Sequence, residues 1–306
     1  AVNDKERYPI TERDIPVGQA VRWPIYDQWG RELIKKGDTI SSKRQVDSLI
    51  ARGAYRTQAD VEKVRKKTAE QRTIGERGIL KSSTPFEIIH DIVQRITKLY
   101  ELLAQEYPPD VSDRTKLIAQ DLLELYRYHP DAMLGAVHLI HEYDYIICHP
   151  LHIAILVIMM GSDMEFEEEN LISVICASIT QNVSMNELQK ELQKQSGGLT
   201  DTQKQAIQSH PELSVELLKH AGVEDEVWLD VVLQHHERVD GEGYPRGLVG
   251  DDIRIGAKLI SLADTYSAMV SSRAYRDPMA PNEVLKELFL SKGKEFDEVL
   301  SLRFIR

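Results

Sequence analysis

The chain has 306 residues, 42% hydrophobic and 28% charged, which excludes a disordered polymer and bounds the molecule at one large domain or two modest ones. Its formal net charge of -11 argues against nonspecific binding to duplex nucleic acid or anionic lipid, yet leaves room for a small phosphorylated ligand in a local basic pocket. Cys148 and Cys176 lie in apolar helical stretches, the longest apolar run (151–160) is too short for a bilayer, and the N-terminus has no basic-then-apolar signal; together these predict a reduced, cytoplasmic protein with no membrane span.

Residues 1–65 read as a small α+β module. Apolar and polar residues alternate over 20–34 and break at Asp27-Gln28-Trp29-Gly30, a hairpin signal; Gly37-Asp38 marks a second turn. Ser41-Ser42 opens a short amphipathic helix with Val46, Leu49 and Ile50 on one face and Gly53 as its stop. Residues 66–125 are assigned to a charged linker and connecting helices. From Pro85, which suits a first helical turn, the pattern is helical: Ile88, Ile89, Ile92, Ile96 and Leu99 recur at helical spacing. Apolar stripes over 85–127 permit a homodimer. Further helices are predicted at 111–127, 131–141, 150–161, 168–180, 186–193, 201–208, 211–221, 224–237, 254–272 and 281–290. Residues 126–306 thus form one helical domain, and the chain is mainly α.

The most informative stretch is His235-His236-Glu237-Arg238 through Gly243-Tyr244-Pro245. His235 continues an apolar stripe of Trp228, Val231 and Val232, so one imidazole points inward. Adjacent histidines at a helix end are either a metal pair or a cap plus a solvated ring. Asp264 shares a helical face with Ala257, Ile260, Ser261 and Ala268 and needs a partner there, either a cation such as Arg273 or Lys258, or a metal. His210 precedes Pro211 at an expected helix entrance, and His149 precedes Pro150 at the start of the most apolar helix. Arg273 and Arg276, three apart, are either a phosphate clamp or a solvated basic edge.

Together these residues resemble the HD-GYP family, a subgroup of the HD superfamily, from about residue 126 to the C-terminus. The resemblance rests on His235 to Pro245, Ala263-Asp264-Thr-Tyr-Ser-Ala268 and Arg273-Ala-Tyr275-Arg276. It implies an HD-type helical bundle that binds iron or a similar divalent metal and cuts cyclic di-GMP. By resemblance His149, His210, His235, His236 and Asp264 are metal ligands, while Tyr244, Arg273 and Arg276 contact the nucleotide. Tyr145 stands where trinuclear members have a carboxylate, which favours a smaller centre. Gly-Tyr-Pro loops of the family are linked to GGDEF-domain partners.

The family's His-Asp-Ile-Gly-Lys sequence is replaced here by Gln181-Asn182-Val183-Ser184-Met185. The lost aspartate normally bridges two metals, and a neutral amide supplies no charge to hold two dications together. Ile146 and Ser214 also depart from the family pattern, which has threonine and glycine there. The expectation is one divalent transition metal, iron or manganese, on His210, His235 and His236, with His149 and Asp264 a thin second site. The predicted function is a degenerate signalling protein of the cyclic di-GMP pathway, impaired in hydrolysis and acting by binding cyclic di-GMP, its linear product or a protein partner. The alternative is an active phosphodiesterase with a reduced metal centre.

Overall fold

The computed structural model describes residues 7–15, 17–18, 20–21, 23–57, 59, 83–106, 108, 110–195, 197–271 and 277–306. The chain divides into two compact units, the second comprising Ser83–Gln105 and Asp110–Arg306.

In the N-terminal unit, strands β1 (Arg7–Pro9), β2 (Ile25–Tyr26), β3 (Glu32–Ile34) and β4 (Tyr55–Thr57) form an antiparallel sheet of order β1-β4-β2-β3. The hairpin signal is met by β2 and β3. Asp27 organises their turn, its Oδ1 accepting the backbone N–H groups of Trp29 at 3.0 Å and Arg31 at 2.9 Å. Helix α1 (Lys43–Ala51) starts on Ser42, whose hydroxyl accepts from Gln45 N at 3.4 Å. Val46 and Leu49 join Ile10, Ile15, Val21, Ile25 and Ile40 in the core of this unit. The charged first part of the predicted linker, up to residue 82, lies outside the described residues.

The second unit is helical: α2 (Pro85–Leu103), α3 (Val111–Tyr128), α4 (Pro130–Leu139), α5 (Tyr145–Asp163), α6 (Glu168–Thr180), α7 (Asn186–Leu192), α8 (Asp201–His220), α9 (Glu226–Gln234), α10 (Ile255–Val270), α11 (Pro281–Ser291) and α12 (Glu298–Ile305). Thr84 and Glu87 form a capping box ahead of α2, with Pro85 at its first position. The helices assigned to the connecting stretch belong to this unit, which begins at Ser83 rather than at residue 126. The reason is their apolar stripe: Ile88, Ile89, Ile92, Ile96 and Leu99 are all buried in the core of this unit.

Helix α5 is the central element, packed on α6 and α10. It begins at Tyr145, earlier than the predicted residue 150, so Pro150 lies inside it. At 19 residues it is long and apolar enough to cross a membrane, but 78% of its most apolar window is buried inside the chain. Gly256 lets α10 approach α6 and α9. A Cβ there would stand 2.6 Å from Val174 Cγ2 and 3.0 Å from Val231 Cγ2. This close packing carries Asp264, two turns further along α10, toward the histidines of the other helices.

Candidate metal centre

His210 comes from α8, while His235 and His236 follow the last turn of α9. The sequence suggested that Pro211 opens a helix; instead α8 runs unbroken from Asp201 to His220 with Pro211 inside. Proline has no N–H, so the Ile207 carbonyl, four residues earlier, loses its helical donor. The His210 ring replaces it, with Nδ1 2.6 Å from that oxygen. A related rule acts at the end of α9, where the last carbonyls lack intrahelical donors. There His235 Nδ1 donates to the Val232 carbonyl at 2.6 Å.

A carbonyl can only accept, so both rings carry their proton on Nδ1 and leave Nε2 as a bare lone pair. Burial keeps the rings neutral. It pushes His210 down to about 4, His235 well below its usual value, and His236 down to about 3, with His210 and His149 adding to the last. The bare Nε2 atoms of His210 and His235 are 3.0 Å apart. Two facing lone pairs repel unless a cation lies between them, and burial disfavours a proton in that role. His236 completes the set: one ligand atom from each of the three rings lies within 4.8 Å of the others. Three neutral imidazoles in this arrangement fit one divalent transition metal.

His149 and Asp264 stand beside this trio as a pair. His149 lies within α5 rather than at its entrance. Its Nε2 is 2.7 Å from Asp264 Oδ1, its Nδ1 3.0 Å from the Ser267 hydroxyl, and Tyr145 stacks on its ring at 4.7 Å. Asp264 acts electrostatically on His210 and His235, and His149 acts on His236, so the pair lies close to the trio. Lys258, one of the cations considered for Asp264, instead pairs with Asp297 at 3.2 Å and Asp251 at 3.5 Å. Arg273 and Arg276 lie outside the described residues.

Tyr244 stacks on His236, with ring centroids 4.8 Å apart. Burial, together with the Asp264 carboxylate, pushes its hydroxyl up, so it remains a donor. Its loop is anchored by a residue that the sequence reading passed over. Glu237 is 3% exposed, and its two carboxylate oxygens accept the backbone N–H groups of Arg246 at 2.7 Å and Leu248 at 2.9 Å. A carboxylate directly after paired histidines was the available signal. Gly243 is required where the loop passes against the backbone that follows α9, because a Cβ would stand 2.6 Å from both Glu237 Cα and the His236 carbonyl oxygen.

Gln181 and Asn182 follow the end of α6. Tyr100 donates to the Ile179 carbonyl at 2.6 Å, and Trp228 Nε1 donates to Thr180 Oγ1 at 2.7 Å, fixing this end against α2 and α9. In the turn that follows, Ser184 donates to the His210 carbonyl at 3.0 Å and meets Ser214 Oγ at 2.8 Å. Ser214, one of the departures from the family pattern, thus ties the altered segment to α8. Gln181 is fully buried with both carboxamide atoms unpartnered, and Asn182 Oδ1 is likewise buried without a partner. An unsatisfied buried polar group costs about 1–3 kcal/mol. Gln181→Met, similar in volume and apolar, is therefore expected to stabilise the metal-free protein by about 1–2 kcal/mol in denaturant unfolding. A lower midpoint in the variant would contradict this account of the amide.

A family model of the HD domain matches residues 93–300. Similar curated proteins include the cyclic di-GMP phosphodiesterase PA4108 of Pseudomonas aeruginosa, 26% identical over 178 residues, 58% of this chain and 43% of that protein. The cyclic di-GMP phosphodiesterase response regulator RpfG of Xanthomonas campestris is 36% identical over 104 residues, 33% of this chain and 27% of that protein. The 3'3'-cGAMP-specific phosphodiesterase 2 of Vibrio cholerae is 37% identical over 105 residues, 34% of this chain and 20% of that protein. The chain spans less than half the length of each of these relatives. Among solved structures, Bd1817, a HDG"Y"P protein from Bdellovibrio bacteriovorus, shares the fold with a TM-score of 0.63 at 12% identity, covering 98% of both chains.

Proposed function

This chain belongs to the HD domain family, as a member of its HD-GYP branch, and from that premise we propose that it is a degenerate cyclic di-GMP signalling protein that binds one divalent metal and a guanine dinucleotide but hydrolyses it poorly. The observation that carries the reading is the pair of bare Nε2 atoms 3.0 Å apart, His210 against His235, beside the neutral amides of Gln181 and Asn182. The first favours holding one ion. The second removes the charge that would hold another next to it.

A bound divalent ion would polarise a phosphoryl oxygen and lower the pKa of a water at its open position. His210, His235 and His236 supply the neutral donors, with iron or manganese the ion expected from the resemblance. Tyr244 offers an aromatic face and a hydroxyl donor at the pocket edge. His149 and Asp264 engage each other and add only a weak second set of donors. GGDEF-domain proteins remain the proposed protein partners, through the loop beyond Tyr244, where Arg246, Gly247 and Val249 are exposed. The intact three-histidine set also supports the second reading, an active phosphodiesterase with a reduced centre. Elemental analysis, combined with cyclic di-GMP hydrolysis in manganese and in ferrous iron without oxygen, separates the two. One ion per chain with negligible turnover supports the first. Robust turnover that is lost in His235→Ala overturns it.

The proposed nucleotide clamp is Arg273 and Arg276. In a chain of net charge -11 an anionic ligand needs local cations to overcome long-range repulsion. Losing one charge-assisted contact costs about 1.5–3 kcal/mol, roughly ten- to a hundred-fold in affinity. Calorimetry with cyclic di-GMP and its linear product is expected to register at least that loss for the Arg273→Ala, Arg276→Ala double variant. Unchanged affinity would remove the pair from the site.

A further inference from the structure

The turn after α6 carries two carboxamides into the interior, Gln181 at 0% and Asn182 at 6% exposure. A buried amide normally spends both its oxygen and its nitrogen on partners. In Gln181 neither atom is bonded. In Asn182 it is the oxygen, the atom able to bind a cation, that is buried without a partner. The backbone of the turn is well fixed. The Met185 N–H donates to the Asn182 carbonyl at 2.9 Å, and Ser184 Oγ donates to the His210 carbonyl at 3.0 Å. The second bond ties the turn to the residue whose ring supplies one of the two facing Nε2 atoms.

The chain offers this pocket little negative charge. His210 and His235 commit their Nδ1 protons to the Ile207 and Val232 carbonyls and present neutral lone pairs. Of the described carboxylates, Asp264 acts on these two rings, but its Oδ1 is engaged by His149 Nε2 at 2.7 Å. Glu237 turns its oxygens to the backbone N–H groups of Arg246 and Leu248. A dication on the three histidines therefore keeps most of its charge. In a buried setting such a charge demands a counter-charge, and the ligand must bring it.

Resting on the one-ion reading above, we propose that Asn182 Oδ1 is a fourth, neutral donor to the ion of the three histidines, and that this uncharged donor set makes the pocket a receptor for a terminal phosphate in preference to a phosphodiester. An amide oxygen is an established donor to divalent ions, and ligation satisfies the orphaned atom without cancelling charge. A diester phosphate carries a single negative charge, whereas a terminal phosphate carries about 1.5 to 2 near neutral pH. The more highly charged group gains more from the same ion. Cyclic di-GMP contains only diesters, and its linear product ends in a terminal phosphate. The linear form is thus the ligand the pocket retains, which accords with a protein that binds the dinucleotide better than it turns it over.

Calorimetry on the whole chain, stripped of metal and reloaded with manganese, tests both parts. The probes are cyclic di-GMP, the linear dinucleotide pGpG, and GpG, which lacks only the terminal phosphate. Binding of pGpG is expected to be at least about ten-fold tighter than that of either other probe, a gain on the scale of one charge-assisted contact. Asn182→Asp, which keeps the shape and adds a charge, is expected to hold manganese at least as well and to lose most of that preference. Asn182→Leu is expected to hold manganese about ten-fold more weakly, with circular dichroism unchanged. Equal binding of pGpG and GpG, or a preference unmoved in Asn182→Asp, overturns the phosphate receptor. Manganese affinity unchanged in Asn182→Leu overturns the donor role. Each of these results leaves the one-ion reading standing. Manganese absent from the unmodified chain overturns that reading and the donor role together, so metal content alone tells the two failures apart.

Discussion

His235→Ala is expected to take the metal content of the protein from about one ion per chain to nearly none after gel filtration. With apparent binding energies of about 10–16 kcal/mol for four-ligand structural zinc, each ligand is worth roughly 3 kcal/mol, on the order of a hundred-fold in affinity. His235 should reach or exceed that figure. It supplies one of the two Nε2 atoms that face each other at 3.0 Å, and its ring is fully buried and held by the Val232 carbonyl. The variant also relieves the lone-pair repulsion, so the metal-free protein should lose less stability than a buried-ring truncation normally causes. Equal metal content in the two proteins would mean that the ion, if any, sits elsewhere.

Acidification should produce the second large effect. The folded pKa values of His210 and His236 are lowered to about 4 and about 3 by burial, and His235 lies well below its usual value. An unfolded histidine titrates near 6.5. Folded rings therefore bind fewer protons than unfolded ones between about pH 6.5 and those lowered values, and stability rises with pH across that window. It is fully present above about pH 6.5 and is lost progressively as the pH falls through 4 toward 3. For His210 alone the difference is roughly 3 kcal/mol. Several kcal/mol from the trio corresponds to a fall in melting temperature on the order of 10 °C for a unit of this size. Thermal melts of metal-free protein between pH 7.5 and 4 test this, and His236→Phe should flatten the slope. A melting temperature independent of pH over that range would contradict the neutral, buried description of the trio.

Two of the three gathered histidines, His235 and His236, were legible because they sit in a distinctive run that continues to Pro245, and because an apolar stripe places His235 inward; His210 lies 25 residues earlier on α8. The helix boundaries around the two His-Pro pairs were not legible. Proline prefers a first turn, and a local reading takes that preference. In α8 the penalty is offset when the His210 ring satisfies the orphaned Ile207 carbonyl, a compensation that depends on a rotamer. The extent of the helical unit was also missed. The charged start of the 66–125 stretch drew the boundary too far along, whereas Ile89, Ile92 and Ile96 are buried as deeply as any core residue. Glu237 required the fold before its two backbone acceptances, nine and eleven residues downstream, became visible.

The His210 and His235 rings are each tied to a helix carbonyl three residues back. Their χ angles are therefore frozen before any guest arrives. Freezing a rotamer-rich side chain on binding costs about 0.5–1.5 kcal/mol of entropy, and in this pocket folding has already spent it. The same stiffness limits adaptation. An ion that demands longer bonds or more donors cannot draw His210 and His235 apart without breaking a helix-terminal or proline-orphaned contact. Discrimination among ions in this pocket thus arises from the backbone that aims the rings as much as from the chemistry of imidazole.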